Sequence, residues 1–228
     1  MKNKIIEFVK SALSEQKKQR TEYSFGQGYA FLKDPLPESV DIEYVLESVL
    51  ETVPAHITGL VDSILVGDFE EFKDRQINAM YKDGAIYITN AQSDNDDMID
   101  DLVHELAHAA EKEYGYEIYA SDMKLIKEFK LKRKQLERML SEHGYETQGY
   151  DFSDTEYSAE FDDYLFRSVG YPVLSGYVVG IFVDAYSTTS IGEYFASGFE
   201  AYFLRDREYL KKTCPALYRK IKEITSDA

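Results

Sequence analysis

The sequence of 228 residues has no tryptophan, one cysteine and no apolar run that approaches the roughly 20 residues of a membrane-spanning helix. The lone Cys214 excludes an intrachain disulfide and a set of thiolate ligands for a metal. Near the start, Glu7 and Lys10 interrupt the apolar segment that a signal peptide requires. We therefore expect a cytoplasmic protein that does not act in a membrane, although a non-classical route of export is compatible with this sequence.

The chain is strongly acidic, with 42 Asp and Glu against 26 Lys and Arg, a formal net charge of -16 and an isoelectric point near 4.7. Nucleic acid and anionic membrane surfaces would repel such a chain, so neither is expected as its main partner. The same charge favours a basic segment in a protein substrate. An apolar content of 44% is enough for a core, and the length fits a single domain over residues 1–228.

The N-terminal part of the chain mixes helical and strand patterns. Within residues 1–38, the spacing of apolar residues predicts an N-terminal helix, and the glycines and prolines that follow predict an irregular connection. A second helix is predicted over residues 39–52. Alternating apolar residues on both sides of Asp83-Gly84 predict a β-hairpin over residues 77–89. A small antiparallel sheet is therefore expected in this part of the chain.

The second half of the chain is predicted to be helical, which makes the expected fold class α+β and mainly helical. A charge-rich helix is expected over residues 118–142, and its basic run at residues 130–134 has the composition of a solvated helix face. Residues 174–184 are apolar and fit a helix, a strand or a buried loop. Three helices are expected near the end of the chain, the last of them beginning at Pro215.

The pentapeptide His104-Glu105-Leu106-Ala107-His108 lies in a pattern that predicts an amphipathic helix. In a helix, residues four apart are separated by about 40° and about 6 Å, so both imidazoles project from one face. A buried helix with two marginal histidines is the structural alternative. Only four histidines occur in the chain, however, and half of them lie in this pentapeptide, which favours a shared ligand for the pair.

The shared ligand that this spacing favours is a zinc ion. Two neutral imidazoles supply Zn–N bonds of about 2.0–2.1 Å, and a catalytic site adds a third protein ligand and keeps one position for water. Glu105 follows the first histidine, where it can take a proton from that water and pass it to a leaving amine. The pentapeptide therefore predicts a zinc hydrolase, provided that a third ligand exists.

Spacing alone does not determine the third ligand. A metzincin would have a histidine at position 114, which is Tyr114 here, so this class is excluded. The remaining candidates are two distant histidines and two glutamates of a predicted helix, namely His56, His143, Glu193 and Glu200. Glu193 also follows Ser190 by three residues, which is a capping-box pattern with a purely structural role.

The run Glu193-Tyr194-Phe195-Ala196 and the helical tail that contains Pro215 resemble the third-ligand helix of a known family, the anthrax lethal factor-like zinc metallopeptidases. This family includes the clostridial Pro-Pro endopeptidases. The resemblance covers residues 39–114 and 184–226 and includes the hairpin before the HELAH helix.

The resemblance implies a zincin-like fold and a complete set of site residues. His104, His108 and Glu193 are expected to bind Zn²⁺. Glu105 is expected to act as general base and acid, and Tyr186, seven residues before Glu193, is expected to stabilise the transition state. A strand of the hairpin is expected to line the substrate cleft.

Two features depart from the family pattern. Ser197 occupies a position where the family often carries a second glutamate, and the long spacing from His108 to Glu193 makes residues 115–170 an expected helical insertion. The predicted function is a gluzincin-type zinc endopeptidase that cuts a protein or peptide substrate, basic or proline-rich in sequence. A zinc-containing binding or inhibitory protein with a structural, non-catalytic metal site is the alternative.

Overall fold

A computed structural model describes residues 21–75 and 77–226 of the chain. These residues form an α+β fold that is 57% helical and contains a mixed five-stranded sheet. The chain divides into two compact units, residues 1–106 and 107–228, and the division falls inside one long helix. The predicted N-terminal helix lies outside the described residues.

The first unit is built around the sheet, whose strand order is β1-β2-β3-β5-β4. The strands are β1 (Glu22–Phe25), β2 (Gly28–Leu32), β3 (Ser63–Gly67), β4 (Ala79–Lys82) and β5 (Ala85–Thr89). Alternate residues of the central strands β3 and β5 are buried, as a pleated strand with one face on a core requires. The edge strands are β1 and β4.

The sheet is mixed, so the expectation of an antiparallel sheet is wrong. β2 pairs with β3 and β3 with β5 in parallel, whereas β1–β2 and β4–β5 are antiparallel hairpins. Parallel neighbours need a crossover connection, and the chain between β2 and β3 supplies one that contains the helix α1 (Ile42–Thr52). The helix that ends at Thr52 and the strand β3 that follows it are therefore parts of one crossover unit.

The two hairpins differ in how well the sequence predicted them. The β4–β5 hairpin is confirmed, and both Asp83 (φ 51°) and Gly84 (φ 85°) adopt the positive φ that a tight hairpin turn requires. The β1–β2 hairpin replaces the irregular connection that was expected within residues 21–38, so that expectation is wrong. Its first strand is only four residues long, and its alternation is limited to buried Tyr23 and Phe25.

The remaining helices of the first unit are short except for the one that carries HELAH. They are α2 (Ala55–Thr58), α3 (Glu70–Arg75) and α4 (Asn95–Gly115), of which α4 continues into the second unit. The α4 start is capped because Asp94 Oδ1 accepts from the Asp97 backbone N–H (3.0 Å) and Asp97 Oδ2 accepts from the Ser93 N–H (3.0 Å).

The second unit consists of helices and turns. After α4, its elements are a π-helix (Tyr116–Ala120), α5 (Lys124–Glu142), α6 (Ala159–Asp163), a second π-helix (Tyr164–Val169), α7 (Tyr171–Tyr177), a 3₁₀ turn (Tyr186–Thr188), α8 (Ile191–Leu204), α9 (Arg207–Thr213) and α10 (Pro215–Thr225). The three C-terminal helices are confirmed. The helix predicted over residues 118–142 begins later, because Met123 has a left-handed conformation (φ 55°) before α5.

Aromatic rings from three segments form the core of the second unit. Phe129 of α5, Phe182 of the preceding irregular segment and Tyr194 of α8 contact one another, with ring centroids 5.3–6.2 Å apart. All three side chains are buried. The apolar segment 174–184 is therefore a short helix and a buried turn that supplies this core.

In the part of the chain that the structure describes, no helix combines the length and the apolar character needed to cross a membrane.

We predict that Gly198→Ala destabilises the protein by about 1–3 kcal/mol, the usual cost of overpacking a core. A Cβ atom on Gly198 of α8 would lie 2.3 Å from Leu217 Cδ2, and Leu217 of α10 is fully buried. The matched control is Gly176→Ala in α7, where a Cβ would meet nothing within 4 Å. The control should be neutral or stabilising by up to about 1 kcal/mol, because alanine is the better helix former. Urea unfolding of both variants tests this, and equal effects would contradict it.

Candidate metal centre

His104 and His108 lie one turn apart on α4, as the sequence predicts. Their donor atoms and a carboxylate oxygen of Glu193 lie within 4.8 Å of one another. Within the second unit, His108 Nε2 is 3.8 Å from Glu193 Oε2. Two donors that share a tetrahedral zinc ion are separated by about 3.3 Å, since each bond is about 2.0–2.2 Å long. Two imidazoles and one carboxylate are a donor set that suits zinc, and the three side chains would have to move closer together to bind one ion.

Glu193 is placed by the start of α8. Ser190 is the N-cap residue, and its Oγ accepts a hydrogen bond from the Glu193 backbone N–H (3.1 Å). The serine half of the predicted capping box is therefore present. The cap fixes the first turn of α8, and the Glu193 carboxylate lies beside His108.

Glu105 is buried and accepts a hydrogen bond from the backbone N–H of Tyr81. Tyr81 belongs to β4, and an edge strand has N–H groups that no neighbouring strand uses. This bond fixes one carboxylate oxygen of Glu105 on the turn of α4 that carries His104. An acceptor held by a backbone donor in this way is oriented before any substrate binds.

Glu111 and Tyr119 extend the site beyond the predicted residues. The Glu111 Oε2 atom lies 2.6 Å from His108 Nδ1, and the Tyr119 hydroxyl donates to Glu111 Oε1. Burial and the neighbouring Glu111 raise the pKa of Tyr119 well above its ordinary value, so its proton stays available for this bond. A carboxylate on Nδ1 favours the tautomer of His108 in which Nε2 carries a lone pair that can bind a metal.

The sequence contained a signal for Glu111 but none for Tyr119. Glu111 follows His108 by three residues, and residues at this spacing are neighbours on a helix. Tyr119 lies eight residues after Glu111, which on a straight helix is a rise of about 12 Å. The contact exists because the helix kinks at Tyr114 (φ -104°, ψ 21°) and continues as a π-helix.

A further carboxyl group lies on α4 one turn before His104. Burial raises the pKa of Asp101 from 3.8 to about 6, and a hydrogen bond from Gln92 Nε2 (3.0 Å) opposes this shift. Because the folded-state pKa is the higher one, the fold loses stability through Asp101 as the pH rises from about 3.8 to about 6.

Tyr186 opens the 3₁₀ turn that leads to α8, and its side chain is 38% exposed. Its ring contacts the ring of Tyr171, with centroids 6.3 Å apart. The Tyr171 hydroxyl in turn donates to Asp162 Oδ1 (2.7 Å). The predicted role of Tyr186 in transition-state stabilisation stays a prediction.

The other candidate ligands occupy different surroundings. Glu200 Oε2 forms an ion pair with Arg205 (2.8 Å), and His143 Nδ1 lies 2.7 Å from the carbonyl oxygen of Met139 at the end of α5. His56 is in α2. Among the described residues, the cluster of possible metal ligands consists of His104, His108 and Glu193.

Comparisons of the chain with family models, with curated proteins and with solved structures find no significant match.

We predict that Glu111→Ala weakens zinc binding about 10- to 100-fold, the usual cost of removing an outer partner of a ligating histidine. Glu113→Ala is the matched control, because Glu113 is an exposed glutamate in the same stretch of α4. Zinc dissociation constants are to be measured by competition with a chromogenic chelator. Equal affinities of the two variants would contradict the assigned role of Glu111.

Proposed function

We propose that this protein is a gluzincin-type zinc endopeptidase with a zincin-like fold. The observation that carries the proposal is the cluster of His104, His108 and Glu193, whose donor atoms lie within 4.8 Å. Among the described residues the cluster has three protein donors. Catalytic zinc sites have three protein ligands and an open position, whereas structural sites have four.

The residues around the cluster have roles that peptide hydrolysis requires. When bound, zinc supplies a Lewis acid that polarises a carbonyl group and acidifies a water molecule. Glu105 takes the proton of the attacking water and delivers it to the leaving amine, and the Tyr81 N–H keeps its carboxylate in place. Tyr186 donates its phenolic proton in a hydrogen bond to the oxyanion of the tetrahedral intermediate.

The position of β4 supports a role in substrate binding. It is an edge strand, and Tyr81 within it contacts the proposed general base. An extended peptide can add to the edge of a sheet through main-chain hydrogen bonds, which are independent of its side chains. At β4 it would use the edge groups other than the Tyr81 N–H, which already donates to Glu105. An endopeptidase that accepts internal segments of a protein needs recognition of this kind.

The substrate proposed from charge and resemblance is a basic or proline-rich protein segment. The net charge of -16 attracts basic flanking residues at low ionic strength. The proposed compartment is the cytoplasm. Cleavage of a peptide library by the zinc-loaded protein, with sites identified by mass spectrometry, tests activity and preference together. A profile enriched in neither basic residues nor proline would contradict the proposed substrate class.

We predict that Glu105→Gln retains zinc and loses hydrolysis by about 10²- to 10⁴-fold in kcat, because loss of a general base has effects of this size. Glutamine preserves an oxygen that can accept from Tyr81 but cannot take a proton. Glu113→Gln on the same helix should have wild-type kcat. A Glu105→Gln variant that cleaves the library at the wild-type rate would remove the base assignment.

We predict that Glu193→Ala weakens zinc binding by more than about 100-fold. Loss of an outer partner of a ligand costs up to about 100-fold, and loss of a direct ligand should cost more. The matched control is Glu200→Ala. Glu200 lies on the same helix as Glu193, but its carboxylate pairs with Arg205. The control should bind one zinc ion with wild-type affinity, even if it is less stable. Metal analysis after gel filtration distinguishes the two, and full occupancy in Glu193→Ala would refute the ligand assignment.

A further inference from the structure

Arg133 is fully buried, with 1% of its surface exposed, in the middle of the basic run that was expected to be a solvated helix face. That expectation is wrong for this residue and for its neighbour Lys132, which is also buried. The other residues of the run, Lys130, Leu131 and Lys134, are exposed. A buried guanidinium is costly to desolvate, so its partners must compensate for lost water.

The partners of Arg133 are backbone carbonyls and aromatic rings. Its Nη1 donates to the carbonyl oxygens of Thr188 (2.8 Å) and Thr189 (3.1 Å). Its guanidinium carbon lies 4.0 Å from the ring centroid of Phe161, a geometry typical of a cation–π contact. Burial lowers the pKa of Arg133 to about 10, which still leaves the group charged at neutral pH.

The carbonyl oxygens of Thr188 and Thr189 lie just before α8 and accept none of the backbone hydrogen bonds of that helix. The first of these bonds runs from the Tyr194 N–H to the Ser190 carbonyl (3.0 Å). Thr188 and Thr189 are nevertheless buried. Buried carbonyls without a donor cost free energy, so Arg133 determines whether this backbone can stay in its position.

This backbone connects the two catalytic candidates of the second unit. Tyr186 precedes the bonded carbonyls by two residues, and Glu193 follows them by four. Ser190 then caps α8 and fixes the first turn up to Glu193. A shift of the 188–189 backbone would therefore move the start of α8, and with it the Glu193 carboxylate, away from His108.

We propose that Arg133 is a positioning residue of the metal centre, which holds the backbone at Thr188 and Thr189 so that Glu193 lies beside His108 before metal binds. This inference rests on the proposed zinc site. Arginine suits the role because Nη1 bonds both carbonyls while Nη2 donates to the Asp151 carbonyl (3.4 Å) and the planar group stacks on the Phe161 ring. A lysine ammonium has no planar group to stack on that ring.

The test compares Arg133→Met with Lys132→Met. Both variants remove a buried cation from the same turn of α5, but Lys132 donates to the carbonyls of Ile181 and Thr213, outside the segment that leads to Glu193. Zinc dissociation constants are measured by chelator competition, at a temperature where circular dichroism shows each apo-protein to be folded. We expect about 10- to 100-fold weaker zinc binding for Arg133→Met, as for other outer partners, and wild-type affinity for Lys132→Met.

Arg133→Lys is the second variant, in case the methionine variant does not fold. It keeps the charge but loses the stacking on Phe161 and the bond to the Asp151 carbonyl, and we expect it to bind zinc more weakly than the wild type. Wild-type affinity in either Arg133 variant, or an equal loss in Lys132→Met, would overturn the inference. A failure of the proposed function looks different, because the wild-type protein itself would then bind no zinc.

Discussion

In the proposed site, the position of Glu193 depends on the turn of residues 184–190, of which residues 185 and 187–190 are buried. The buried polar groups of this turn have little access to water, so they need partners inside the protein. The turn supplies some of these itself, since the Ser187 N–H donates to Asp184 Oδ1 (2.7 Å) and the Ser187 hydroxyl to the Asp184 carbonyl (2.7 Å). Arg133 supplies the donors that the turn lacks. In the proposed site, the fold would therefore hold Glu193 in place before a metal binds.

The electrostatics of the site favour a cation. His108 lies between the carboxylates of Glu111 and Glu193, at 2.6 Å and 3.8 Å. Two carboxylates around one imidazole repel each other, and a divalent ion offsets this repulsion by binding one of them. Tyr119 takes part of the negative charge of Glu111 through its hydrogen bond. The same groups that orient the histidine would therefore contribute to the metal affinity of the proposed site.

Several parts of this structure were predictable because their signals are local. The helical position of HELAH follows from apolar periodicity, the β4–β5 hairpin from Asp83-Gly84, and the start of α10 from Pro215. The β1–β2 hairpin was missed because four residues carry too little alternation to outweigh the glycines beside them. The parallel pairing of β2 with β3 was missed because strand direction depends on the path of the whole crossover, which no short pattern encodes.

The sequence by itself determined that the imidazoles of His104 and His108 project from one face of a helix, because helix geometry places residues four apart on the same face. Only the tertiary structure decided that Glu193, and not Glu200 or His143, lies beside them. It also decided that Arg133 is buried. The physical reason is the same for both. The position of such a side chain depends on hydrogen-bond donors and acceptors that are distant in sequence, and these come together only when the chain has folded.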